Sequence, residues 1–137
     1  AFDQYSGKGR PAYVDKYRIE CDRAIDTIRG AGGIAVLAHP GIYDFGSSGQ
    51  LQRLIRNLIS MGLSGLEVYY PEHTPEQTNW LEELANDLDL LMTGGTDFHG
   101  AINPVIQLGF GTGDFTVPYE LYLEIQRRSE KCRCTAC

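Results

Sequence analysis

Three short apolar runs, each preceded by a helical stripe, set the architecture of this chain. The first stripe is Cys21, Ala24, Ile25 and Ile28, spaced i, i+3, i+4 and i+7, and Gly30, Gly32 and Gly33 end it. Ile34–Ala38 follows, an apolar run of the kind seen in strands buried on both faces. The second stripe is Leu51, Leu54, Ile55, Leu58 and Ile59, stopped by Gly62, and Leu66–Tyr70 reads as the next strand. Thr74-Pro75-Glu76-Gln77 has the form of a capping box: Thr as N-cap, Pro in the first turn, Gln at N3. The helix it opens would bury Trp80, Leu81, Leu84, Ala85 and Leu88, and Leu90–Thr93 supplies a third strand. A last helix follows Pro118, using Tyr119, Tyr122 and Ile125, with Cys21 read as a small packed hydrophobe.

Helix and strand alternating in this way predict an α/β fold, a parallel sheet with crossover helices. An eight-stranded barrel takes roughly 250 residues, so three such units cannot close one. The chain is then either a small open sheet or part of a barrel whose other strands lie elsewhere. No repeat or internal linker divides residues 1–137, which read as one unit with a lead-in loop over 1–18 and a flexible, cysteine-containing tail over 126–137. The first residue is Ala1, which suggests a start inside a longer protein.

Charge and composition narrow the function classes. A net charge of -6 with no basic stripe argues against a surface that tracks a nucleic-acid backbone. A small phosphorylated substrate stays compatible, because one local basic pocket or a metal can hold it. No run approaches the ~18–20 apolar residues of a membrane span, and no signal-peptide pattern opens the chain, so a cytoplasmic location is expected. Cys132, Cys134 and Cys137 form C-x-C-x-x-C. A zinc module there lacks a fourth ligand, so a reduced tail is the preferred reading.

The chemistry gathers at the strand ends. His39 follows the first strand directly, in Ala38-His39-Pro40-Gly41, and Asp97 and His99 follow the third, in Gly94-Gly95-Thr96-Asp97-Phe98-His99-Gly100. Parallel α/β folds place reactive groups at the C-terminal ends of strands, so these residues are expected on one rim. In an extended segment Asp97 and His99 share a face, and a carboxylate beside an imidazole suits Zn, Mn or Fe. Taken alone, His39 is readable as a turn residue hydrogen-bonded to backbone, Asp97 as a helix cap and His99 as a surface residue. His73, just past the second strand, is a candidate phosphate contact or a group that supports a ligand. Lys8 and Arg10 are candidate phosphate grips, and Glu67 reads as a hydrogen-bonded carboxylate inside a strand. The glycines at 109, 111 and 113 lack the spacing of a dinucleotide fingerprint.

Gly32 through Gly41, Gly65-Leu66-Glu67-Val68-Tyr69-Tyr70, His73-Thr74-Pro75-Glu76-Gln77 and Thr93 through Gly100 together resemble the PHP (polymerase and histidinol phosphatase) family. The resemblance runs from about Gly7 to Leu123 and is nearest to the subgroup of nucleoside bisphosphate phosphatases and RNA 5'-end exonucleases. It includes Lys8 through Val14, which is similar to a Gly-Lys-Pro-Ala-Tyr-Val stretch of that subgroup. It implies a distorted seven-stranded β/α barrel with up to three divalent metals, Mn, Zn or Fe, at its mouth. Matched by position, His39, Asp97 and His99 correspond to metal ligands; His73, Arg10 and Lys8 stay candidate substrate contacts from their own positions, and no catalytic residue is assigned.

The family also opens with a His-x-His segment and carries further ligands, and this chain, with three histidines in all, does not contain them. The resemblance therefore implies the C-terminal part of a phosphoesterase acting on a nucleotide or short oligonucleotide end, inactive in isolation. Sheet edges left open by absent strands would favour a homodimer. The competing expectation is a non-catalytic interaction or regulatory module on the same fold. A His-x-His immediately upstream decides for the enzyme.

Overall fold

The computed structural model describes residues 2–15, 17–44, 46–113 and 115–135. A π-helical turn, Phe2–Ser6, stands inside the stretch expected as loop. Helix α1 (Cys21–Gly30) leads into strand β1 (Val36–Leu37), α2 (Ser48–Ser60) into β2 (Gly65–Tyr69), and α3 (Pro75–Asp87) into β3 (Leu91–Gly94), before α4 (Tyr119–Thr135). The strands form one sheet in the order β1-β2-β3, and both pairings are parallel. Val36 pairs with Gly65 and Gly65 with Leu91, and the register shifts between Glu67 and Tyr69 of β2. Gly65 is required where three strands meet. A Cβ there would lie 2.9 Å from the Leu91 carbonyl oxygen and 3.0 Å from Val36 Cγ2.

The helices form as their sequences dictate. Ser47 caps α2 by accepting from the Gln50 N–H at 3.3 Å. The reciprocal capping box of α3 is complete: Thr74 Oγ1 accepts from the Gln77 N–H at 3.2 Å, and Gln77 Oε1 accepts from the Thr74 N–H at 2.8 Å. Leu51, Ile55 and Leu58 of α2 and Leu81, Leu84 and Ala85 of α3 enclose Leu66 and Val68 of β2, and this is the core.

Two expectations are corrected, and the last helix runs further than its apolar stripe. The Ile34–Ala38 run pairs over Val36–Leu37 only, and both residues are half-buried, because among the described residues no strand lies on the outer side of β1. Cys21 is exposed, since Ile25 is the one buried residue of α1. The final helix continues through Thr135, well into the expected flexible tail. Glu124 holds Arg127 and Arg128 there, and Arg128 reaches Asp89 at 2.7 Å beyond the end of α3. The Cys132 and Cys134 thiols and all of Cys137 lie outside what is described, so the cysteine motif is not addressed.

The chain exposes 9776 Å² of surface. A compact monomer of 15.2 kDa is expected to expose about 7,100 Å². Part of the excess lies in the segment after β3, where Ile102 is 87% exposed and Leu108 73%. No helix among the described residues is long and apolar enough to cross a membrane. Leu81, fully buried in α3, ties that helix to the sheet. We expect Leu81→Ala to cost about 2–5 kcal/mol, read from the urea unfolding midpoint.

Candidate metal centre

The parallel sheet brings the ends of β1, β2 and β3 to one rim, where His39, Tyr70 and Asp97 meet. The His39 ring lies 5.3 Å from the Tyr70 ring and 5.6 Å from that of Tyr43. The Tyr70 hydroxyl donates to Asp97 Oδ2 across a long 3.4 Å. Tyr70 is buried, and the loss of water around it, reinforced by Glu72, Asp97 and Glu67, pushes its pKa up to about 12. Its phenol therefore stays neutral and remains a donor.

His39 sits in a left-handed conformation, φ 31° and ψ 55°, immediately before Pro40. Both features are unfavourable for a residue with a side chain and cost of order 1–3 kcal/mol. Its Nδ1 is buried without a hydrogen-bond partner, the sole such side-chain atom found among the described residues. An unsatisfied buried nitrogen is itself costly, about 1–3 kcal/mol. The backbone N–H of His39 donates to Glu67 Oε2 at 2.7 Å. Two residues on, Gly41 donates its N–H to His73 Nε2 at 3.1 Å, and its carbonyl accepts from Gln77 Nε2 at 2.8 Å.

Asp97 and His99 are both exposed, and Asp97 also adopts a left-handed φ of 52°. His99 Nδ1 lies 2.6 Å from the Asp97 backbone carbonyl and 3.5 Å from Asp97 Oδ1. A carbonyl only accepts, so Nδ1 carries a proton, which in the neutral ring leaves Nε2 free, one of the two tautomers that metal-ligating histidines use. These residues suit a divalent metal in donor type and tautomer. They do not make a complete site: among the described residues no group of three or more His, Cys, Asp or Glu side chains is arranged to hold an ion.

The comparisons with known proteins bear on this rim. No family model matches the chain. It is 36% identical over 98 residues to a 3',5'-nucleoside bisphosphate phosphatase of Chromobacterium violaceum, covering 72% of this chain and 34% of that protein. It is also 36% identical over 108 residues to the 5'-3' exoribonuclease Rnm of Salmonella typhimurium, covering 79% and 36%. A solved Bifidobacterium adolescentis structure, assigned as a metal-dependent phosphoesterase, superposes with a TM-score of 0.66 at 31% identity over 89% of this chain and 41% of that one. The chain is similar in sequence and fold to these phosphoester-cleaving proteins. It spans about a third of the length of the curated relatives it matches.

Set against that similarity, the expected site residues divide. His39 and Asp97 meet around Tyr70, and His99 stands beside Asp97. His73 is 8% exposed, with Nδ1 on the Val68 carbonyl at 2.8 Å and Nε2 on Gly41, so both nitrogens are engaged inside the fold. Lys8 and Arg10 are exposed on a turn closed by the Arg10 N–H to the Gly7 carbonyl, and neither lines a described cavity. Gly109 and Gly111, with positive φ, shape a tight turn bridged from Gln107 to Gly111. Sequence reasoning missed Tyr70 and Gln77 at the site. The alternation of buried Leu66, Val68 and Tyr70 along β2 is the signal that marks Tyr70 as inward-facing.

Two outcomes follow from this geometry. A Cβ on Gly41 would fall 2.6 Å from His73 Cδ2. Gly41→Ala is thus expected to destabilise the fold by more than about 1 kcal/mol in urea unfolding. Tyr69, desolvated and bonded to Glu82, has its pKa raised from 10.0 to about 12. The folded state then holds the proton more tightly than the unfolded one. This contribution to stability is complete below pH 10 and disappears as pH rises towards 12. Ultraviolet absorbance of phenolate in folded protein should show Tyr69 ionising after the exposed tyrosines.

Proposed function

We propose that this chain is the C-terminal part of a metal-dependent phosphoesterase that hydrolyses a phosphate ester of a nucleotide or short oligonucleotide end. The observation that carries the reading is the buried, unpartnered Nδ1 of His39 on the rim shared with Asp97 and His99, in a chain similar to phosphoester-cleaving enzymes. His39, Asp97 and His99 are the ligands, as part of a larger set completed by residues outside this chain. An imidazole and carboxylate donor set favours Mn, Zn or Fe over Ca or Mg. Such ions, when bound, polarise a phosphoryl oxygen and activate water. The chain's own contribution is to orient donors: the Asp97 carbonyl fixes the His99 tautomer, and neutral Tyr70 lies between His39 and Asp97.

The large exposed surface and the unpaired outer edge of β1 agree with a sheet that continues in the whole protein towards a seven-stranded barrel. In isolation the same edge supports pairing between two copies.

The 137-residue chain is expected to bind Mn(II) weakly and to show no Mn-dependent release of phosphate from a nucleoside 3',5'-bisphosphate. The longer protein, carrying a His-x-His upstream, should hydrolyse it and lose activity on His39→Ala. Turnover by the isolated chain would defeat the incomplete-site reading, and full activity of the His39→Ala enzyme would defeat the ligand assignment.

A further inference from the structure

We infer that Glu67, His73 and Gln77 are positioning residues that clamp the His39 turn and preset the imidazole for metal binding. The inference rests on the proposed role of His39 as a ligand. The turn after β1 is strained at its first residue, where His39 is left-handed and precedes proline. A turn of that shape persists only when its surroundings over-determine it. Three polar side chains from β2, its following loop and α3 converge on it. Glu67 takes the His39 N–H at 2.7 Å, His73 the Gly41 N–H at 3.1 Å, and Gln77 gives its amide to the Gly41 carbonyl at 2.8 Å. Together they engage backbone groups on both sides of Pro40, which is itself fully buried.

His73 is the centre of the clamp because its protonation pattern is fixed from both sides. The Val68 carbonyl requires a proton on Nδ1, so Nε2 is the acceptor that Gly41 needs. Its ring lies so close beneath the turn that only glycine fits at position 41. Gln77 is shared with the capping box, so the start of α3 and the His39 turn are set by one side chain. None of the three touches another candidate ligand in this arrangement. Their common effect falls on where His39 points.

Mn(II) titration calorimetry on the 137-residue chain tests this, with His39→Ala, His73→Phe, His73→Gln and Glu67→Gln variants held at a temperature where circular dichroism shows each folded. His73→Phe keeps a ring but loses both hydrogen bonds, and it should weaken Mn(II) binding about tenfold or more. His73→Gln, which retains one donor and one acceptor, should recover most of the affinity, a rescue that ring packing alone would not give. Unchanged affinity in His73→Phe, with binding lost in His39→Ala, overturns the clamp. Unchanged affinity in His39→Ala, or no uptake by the wild-type chain, overturns the ligand reading instead. Amide hydrogen exchange at His39 and Gly41 then decides the clamp without metal. Exchange about tenfold faster in His73→Phe, relative to the α3 amides, supports it, and equal rates sink it. Should His73→Phe not fold, Gln77→Leu in both measurements replaces it, with the same direction expected and the same overturning result.

Discussion

The parallel pairing of β2 with a neighbour on each side is the constraint on which the rest of the structure depends. It fixes all three strands in one direction, so every strand-to-helix turn emerges at the same end of the sheet. His39 and Asp97, far apart in sequence, meet around Tyr70 for that reason alone. The same strand carries the core on one side, through Leu66 and Val68, and offers Glu67 between them to the turn after β1. Packing and site share a single backbone.

Much of this was legible in the residues themselves. The α2 and α3 stripes are long and regular, and the Thr74-Gln77 box has the local chemistry its sequence announces. The strand-end placement of His39, Asp97 and His99 required only the alternation of elements. What escaped were features decided by distant parts of the chain. Ile34–Ala38 looked like a fully buried strand because its composition is apolar, but burial depends on a neighbour, and β1 has one on a single side. His73 was readable as a rim contact from its position after β2. Only the fold shows that Gly41 and the Val68 carbonyl occupy its nitrogens. The helical continuation past residue 125 brings Arg128 to Asp89, a pairing no local window contains.

Two observations bear on the proposal that this chain is part of a larger protein. Among the described residues the donor set at the rim stops short of a closed coordination shell, and the surface is larger than a chain of this mass needs. One is a statement about chemistry and the other about area. Both agree with matches that span about a third of the relatives. The similarity and the fold thus speak to a shared architecture.

The left-handed backbone at His39 has a consequence for how this protein can change. Glycine would adopt that conformation without strain, so stability and the proposed ligation pull position 39 in opposite directions. A lineage released from metal chemistry gains by losing the imidazole, and the Glu67–His73–Gln77 hydrogen bonds would remain as a well-made turn with nothing to present. A histidine at position 39 is therefore held in a backbone conformation that favours another residue.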